Sequence, residues 1–213
     1  MELLSPSATV YCLGRNFAAH ARELNSKPPS SPIWFNKLKN VFVGDKEPII
    51  IPSWLDSRVD CEAEVAIRLG VELHNATLDE CEAAISHFTC ANDITARKVQ
   101  ITDRDCGLPW MRSKNLSSFG SIGPAWHEYP GFGDFSKLEL IGSLNGQIVQ
   151  QALLGEMLFS PGQALSEMSR WHKLFVGDVL LLGTPKGVSP INDGDTISVS
   201  CGDACLTNHV SRA

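Results

Sequence analysis

The chain has 213 residues, 43% hydrophobic and 20% charged, enough apolar material for one domain with a packed core. Its formal net charge of −6 argues against a phosphate-backbone partner, which needs clustered Lys and Arg, so nucleic acid is disfavoured. No run reaches the roughly 18 apolar residues of a membrane span, and residues 1–9 lack the basic start and long apolar stretch of a signal peptide.

Val10–Leu13 is a short apolar run ending at Gly14 and reads as a strand; the polar segment Arg15–Leu24 reads as a short helix. Lys27–Pro32 is a loop by its prolines. Ile33–Phe35 and Ile49–Ile51 read as strands, separated by a Gly44-Asp45 turn. Cys61–Leu69 alternates, with Ala63, Val65, Ile67 and Leu69 on one face and Glu62, Glu64, Ala66 and Arg68 on the other. Thr77 caps a helix, Glu80 completes its capping box, and Leu78, Cys81, Ile85 and Phe88 form the apolar stripe. Asn92-Asp93 falls at the end of a second strand. The stretch Thr102–Trp126 shows no clear pattern, and long loops of that kind are often functional.

Asn145-Gly146 between Leu138–Leu144 and Gln147–Gln151 is a strong hairpin signal. Ser160-Pro161 opens a helix, with Gln163 completing the box and Ala164, Leu165, Met168 and Trp171 facing the core. Val179–Leu182 and Thr196–Ser200 are the last strands. Roughly nine or ten strands and three helices without βαβ alternation predict a strand-dominated α+β domain. The seven cysteines are scattered, with no Cys-x-x-Cys pair, which reads as free thiols in a reducing cytoplasm rather than as a zinc site.

Glu62 and Glu64 share one strand face, with Cα atoms about 6.5–7 Å apart. The apolar opposite face turns the pair outward, either as a solvated strand edge or as ligands for a hard divalent cation, Mg2+, Mn2+ or Ca2+. Asp93 is a third candidate oxygen donor, although alone it reads first as a turn or helix-cap residue, and periodicity does not join the three. His20 and Glu23, three apart in a helical turn, are within reach of each other. A carboxylate beside an imidazole fixes its tautomer and suits it to drawing a proton from water, although such pairs are also common on surfaces. Lys114 and Arg97 are candidates to hold a substrate carboxylate or a developing enolate oxygen.

Gly183-Thr184-Pro185-Lys186-Gly187 lacks the Gly-Lys-Ser/Thr ending of a phosphate loop, yet its amides and the Thr184 hydroxyl can grip a carboxylate at a strand end. Neither Gly-x-Gly-x-x-Gly nor Gly-x-Ser-x-Gly occurs, so nicotinamide binding and a serine-hydrolase elbow have no support.

Five motifs, taken together and in order, resemble the fumarylacetoacetate hydrolase family across nearly the whole chain, Val10 to Ser211. They are Gly14-Arg15-Asn16-Phe17-Ala18-Ala19-His20-Ala21-Arg22-Glu23; Asp60-Cys61-Glu62-Ala63-Glu64; Asn92-Asp93-Ile94-Thr95-Ala96-Arg97; Ser113-Lys114; and Gly183-Thr184-Pro185-Lys186-Gly187-Val188. The resemblance implies a single catalytic domain over residues 1–213 with a mixed β-sandwich roll, a homodimer, and Mg2+ or Mn2+ in the site. It maps the metal ligands onto Glu62, Glu64 and Asp93 and the catalytic residues onto His20, Glu23 and Lys114. In relatives the His and Glu lie on a short helix that orders over bound substrate. Thr184 maps onto the threonine near the substrate carboxylate, and Arg15, Arg97 and Gln100 fall on further pattern positions, here expected to bind substrate. Ser121 departs from the family pattern, where many relatives have proline, and Gly202-Asp203-Ala204 replaces a more glycine-rich turn.

The activity so implied is hydrolysis of a carbon–carbon bond in an acylpyruvate-like substrate, a small carboxylated keto or enol acid. Isomerisation of a hydroxymuconate-like diacid, or decarboxylation or tautomerisation of oxaloacetate, is the alternative on the same enolate-stabilising residues. A non-catalytic carboxylate-binding module is a further one, against which the joint presence of His20, Glu23 and Lys114 argues.

Overall fold

The structure is a computed structural model that describes residues 4–23 and 27–213, and of residues 20–22 the backbone alone. The largest sheet orders its strands as Ile33–Lys37, Val10–Gly14, Val179–Leu181, Ala63–Leu69, Ile85–Asp93, Gly120–Ile122 and Phe42–Val43, with His127–Glu128 added beside Ile85–Asp93. A second sheet runs Gln147–Leu153, Glu139–Leu144, Thr196–Cys201, Ala204–Arg212 and Ile49–Ile51. A small third one joins Ser189–Pro190, Val59–Cys61 and Thr95–Ala96. This is the mixed, strand-dominated α+β architecture expected from the pattern.

The alternation in Ala63–Leu69 decides where the main core lies. Ala63, Val65, Ile67 and Leu69 are buried in one cluster with Leu140, Val199 and Leu206 of the second sheet and with Ala164, Leu165 and Met168 of the helix Pro161–Trp171. Each fully buried aliphatic side chain contributes about 1.5–3 kcal/mol relative to exposure. The opposite face of the large sheet is apolar too, where Ala66, Cys12, Ala91, Ile122 and Leu181 cluster. A third cluster, including Ile51, Val59, Ile94 and Phe119, lies under the small sheet.

Both capping boxes form, at Thr77/Glu80 and Ser160/Gln163. The hairpin turns through Asn145 (φ 51°) and Gly146 (φ 80°), the paired positive values of a two-residue hairpin loop. All seven cysteines are free.

Four expectations are corrected. The helix capped by Thr77, Leu78–Ala84, ends at Ala84, and Ile85 and Phe88 belong to the strand Ile85–Asp93; the apolar run served two elements in succession, which periodicity alone does not separate. Trp171 is 72% exposed, its indole nitrogen donating to Glu167 at 3.1 Å on the solvent side of the helix. The stretch Thr102–Trp126 is not patternless: it holds the C-terminal part of the helix Arg97–Asp105, the turn of helix Met111–Lys114 and the strand Gly120–Ile122. The buried positions of the helix Arg97–Asp105 are Arg97 and Asp103, each held in an ion pair, so hydrophobic periodicity does not register it. Finally, Glu62 and Glu64 do not face outward: they are 5% and 1% exposed.

Candidate active site

Pairing of two strands brings the acids together. Ala63 lies opposite Asn92 and Glu64 opposite Ala91, in antiparallel register. Just before the paired stretch, the Asp93 amide donates to the Glu62 carbonyl at 2.9 Å, and the Glu62 amide donates to Asn92 Oδ1 at 2.9 Å. Glu62 and Asp93 therefore stand side by side, with Glu64 two residues along on the same face. One carboxylate oxygen from each of the three lies within 4.8 Å of the others.

Buried acids need compensation. The Lys114 ammonium donates to Glu62 Oε2 at 2.8 Å and Asp93 Oδ2 at 2.5 Å. Arg97 donates to Asp60 Oδ2 at 2.7 Å, to Gln100 Oε1 at 2.6 Å, and to Glu62 Oε1. Lys37, which the sequence reading missed, donates to Asp93 Oδ1 at 2.7 Å, to the Ile94 carbonyl at 3.4 Å and to the Lys114 carbonyl. Its three N–H bonds thereby meet three acceptors on two separate segments. A single Lys closing the strand Ile33–Lys37 was the one signal for it.

Four acids (Asp60, Glu62, Glu64, Asp93) thus face four cations (Lys37, Arg97 and Lys114, with Arg58 reaching Asp60 Oδ1 at 2.6 Å from the surface), and Glu64 is bonded through the Gly183 amide at 2.8 Å. Burial pushes the Glu64 carboxyl well above the usual carboxylate range, and the Asp93 and Glu62 charges push it further, against Lys114 and the Gly183 amide. For Lys114, burial works against the ammonium, but Asp93 and Glu62 outweigh it and hold the group above the ordinary lysine range.

The residues fit a divalent ion. Oxygens on opposite sides of a hard cation at 2.0–2.6 Å are about 4–5 Å apart, the spread seen for these three, and the donor set is all oxygen. Burial and mutual repulsion of Glu62, Glu64 and Asp93 are relieved by such a charge between them.

The strand Val179–Leu181 leads into the other wall. Gly183 has φ 88°, and a Cβ there would meet Asn16 Cβ at 3.0 Å and the Leu13 carbonyl at 3.2 Å. Asn16, also missed as a site former, locks this corner: its amide donates to the Leu182 carbonyl at 2.9 Å and its oxygen accepts from Phe159 N at 3.0 Å. The Thr184 hydroxyl donates to the Ala63 carbonyl and accepts from Gln150 Nε2, at 2.8 and 2.7 Å. Its hydrogen therefore points at the strand that carries the acids.

Glu23 closes the helix Ala18–Glu23, and its carboxylate accepts from the Gly187 amide at 3.1 Å. His20 sits one turn earlier on that helix; its side chain lies outside the described residues. Arg15, Glu23, Glu62, Glu64, Asp93, Arg97, Gln100, Lys114 and Thr184 all line one cleft of about 280 Å³, together with Phe35 and Trp110.

The sequence profile described as fumarylacetoacetate (FAA) hydrolase C-terminal matches residues 9–211. The chain belongs to the fumarylacetoacetate hydrolase family. It is 34% identical to oxaloacetate tautomerase YcgM of Escherichia coli, over 96% of this chain and 93% of that protein. The solved structure of 5-carboxymethyl-2-hydroxymuconate delta-isomerase from Mycobacterium smegmatis superposes with TM-score 0.85 at 35% identity, over 100% of this chain and 82% of that one. Fumarylpyruvate hydrolase from Pseudomonas aeruginosa, solved in complex with Mn2+ and pyruvate, gives TM-score 0.91 at 25% identity, covering 100% and 98%. Family members of this kind are enzymes, and they span hydrolase, isomerase and tautomerase activities. Among the described residues no helix is long and apolar enough to cross a membrane.

Proposed function

We propose that the chain is a divalent-metal-dependent enzyme of small carboxylated keto or enol acids, and that it hydrolyses the carbon–carbon bond of acylpyruvate-like substrates. The observation that carries this is the convergence of Glu62, Glu64 and Asp93 within 4.8 Å, with the Lys114 ammonium against two of them. Those three carboxylates would hold Mg2+ or Mn2+. When bound, the ion supplies Lewis-acid polarisation of a 2-keto oxygen and charge to offset a developing enolate.

The chain's own groups supply the rest. Lys114, charged through its acidic neighbours, is placed to stabilise an oxyanion. Arg97, Gln100 and Thr184, hydrogen-bonded within the wall, fix the shape of the pocket in which the carboxylate end seats. His20, one helical turn from Glu23, takes a proton from water as the hydroxide adds to the distal carbonyl. The bond to C3 then breaks with its electron pair left on the pyruvyl fragment; protonation of that carbon gives pyruvate, and the other fragment departs as a carboxylic acid. Glu23, anchored on the Gly187 amide, sets the position of the helix that carries the base.

A second reading, keto–enol tautomerisation of oxaloacetate, is supported by the likeness to the Escherichia coli tautomerase over almost the full length of both chains. It needs enolate stabilisation but no activated water. A panel of acylpyruvates, oxaloacetate and hydroxydienoates assayed with Mg2+ separates the two: pyruvate plus a carboxylic acid marks hydrolysis, and an isomer alone marks the second reading. Glu62→Ala should lose both Mn2+ binding and at least about a thousandfold in turnover; a chelator-stripped variant with intact turnover would sink the whole scheme. The proposal includes a cytoplasmic homodimer, for which light scattering should give twice the chain mass.

A further inference from the structure

The cleft extends beyond the acids: the Lys114 ammonium lies 5.3 Å from the Phe35 ring centroid, Phe35 meets Trp110, and Arg15 lies over Trp110. Four cationic side chains line the cleft as a whole: Arg15, Arg97, Arg104 and Lys114. Arg97 is committed to Asp60, Glu62 and Gln100, and Lys114 to Glu62 and Asp93. Arg104 turns its Nε and Nη2 onto Asp105 Oδ1, at 3.0 and 2.8 Å. For Arg15 no hydrogen-bond or ion-pair acceptor is found among the described residues. By elimination, it is the guanidinium in the cleft still available to an anion.

Arg15 is also held in place. Its guanidinium carbon lies 5.9 Å from the centroid of the Trp110 ring. Stacking on an aromatic face occupies the plane of the guanidinium and leaves its N–H edge open, the edge that matches a carboxylate. Trp110 is itself fixed: it meets Phe35 edge-on at 5.4 Å, and it lies so close over Gly14 that a Cβ there would fall 2.9 Å from its ring. The Arg15 backbone sits in the left-handed region at φ 57°, rarely adopted by a residue other than glycine. Its neighbours set that turn, Gly14 by pairing with Ile33 and Asn16 by its bonds to Leu182 and Phe159. Phe35 and Trp110 link Lys114 to Arg15 as successive ring contacts, and Leu13 and Ile101 add further apolar lining to the cleft.

We propose that Arg15 binds a second, distal carboxylate, so that the site selects 2-keto diacids over monoacids of the same length. A ligand matching the cleft has a chelating 2-keto acid at the floor, a short hydrocarbon middle against the aromatic wall, and a carboxylate at Arg15. This rests on the proposed function, which supplies the chelating end.

The test is calorimetry on the Mn2+-loaded protein with four probes: oxalate, 2-oxoglutarate, 2-oxoadipate and 2-oxopentanoate. Oxalate presents only the chelating end. The wild type should bind one of the two diacids at least about tenfold tighter than 2-oxopentanoate, and Arg15→Met should weaken that diacid about 10- to 100-fold. Oxalate affinity should be unchanged in the same variant, which also shows that it is folded, and Arg104→Met should leave all four probes unchanged. Absence of a diacid preference in the wild type, its survival in Arg15→Met, or its loss in Arg104→Met overturns the assignment. Failure of the wild type to bind oxalate brings down the proposed function itself, a separable result.

Discussion

The segment Glu62–Leu69 separates two buried environments that are built on different terms. Toward the second sheet, Ala63, Val65, Ile67 and Leu69 meet other apolar side chains, and water exclusion alone holds them there. Toward the cleft, Glu62 and Glu64, with Asp93 beside them, are equally withdrawn from water, yet the three stay only because Lys37, Arg97, Lys114 and the Gly183 amide reach in from four other parts of the chain. The first environment tolerates change in proportion to the volume removed. The second depends on a charge count, so losing one partner strands another.

The largest expected break of that contrast is Lys37→Met. The substitution keeps length and packing but removes three hydrogen bonds and one charge from a side chain that is 0% exposed, leaving Asp93 Oδ1 and two carbonyls without their donor. Removing one partner of a buried pair costs about 3–5 kcal/mol. Urea unfolding of the metal-free protein should show a loss of that size; a change below about 1 kcal/mol would mean that the floor is no more demanding than the apolar side.

That asymmetry also explains what the sequence made legible. The apolar alternation, both capping boxes and the Asn-Gly hairpin are local signals, and each formed where expected. The family motifs carried the acids, Arg97, Lys114 and Thr184, which the fold gathers in one cleft. What stayed hidden is nonlocal and charged. The helix Arg97–Asp105 buries Arg97 and Asp103, which no hydropathy pattern can flag. Lys37 stands 56 residues from the Asp93 that it neutralises, so nothing near it in sequence announces the pairing. The outward placement assumed for Glu62 and Glu64 failed for the same reason: the cover over them comes from cations, not from apolar residues.

A middle-sized effect should come from protons at Glu64. Its carboxyl titrates well above the ordinary range because of burial and the Asp93 and Glu62 charges. The sign follows from linkage. Between the unfolded and folded values the native state holds a proton that the unfolded chain has lost. Stability from this group is therefore full below the ordinary carboxylate range and is lost as pH rises through the raised folded value. A divalent ion needs the ionised carboxylate, so it competes with that proton and its affinity moves the opposite way, rising with pH. Mn2+ affinity should fall by up to about tenfold per pH unit below the folded value, or about 1.4 kcal/mol. Titrations near pH 6 in two buffers of different ionisation enthalpy should register proton release on binding. Binding that is independent of pH and releases no proton would show Glu64 ionised before the ion arrives.

The smallest effect belongs to the apolar side and tests whether the two environments are independent. Ile67 is 1% exposed, pairs across to Phe88 and Leu180, and points into the core shared with the second sheet. Ile67→Val removes one methylene from a packed site, for about 0.5–1.5 kcal/mol. Nothing on the cleft side loses a partner, so Mn2+ affinity should be unchanged even as the unfolding midpoint drops. If the loss instead approached the several kcal/mol expected of Lys37→Met, or if Mn2+ affinity changed with it, the strand would be transmitting strain from core to floor. The charge count would then no longer suffice to explain how the acids are held.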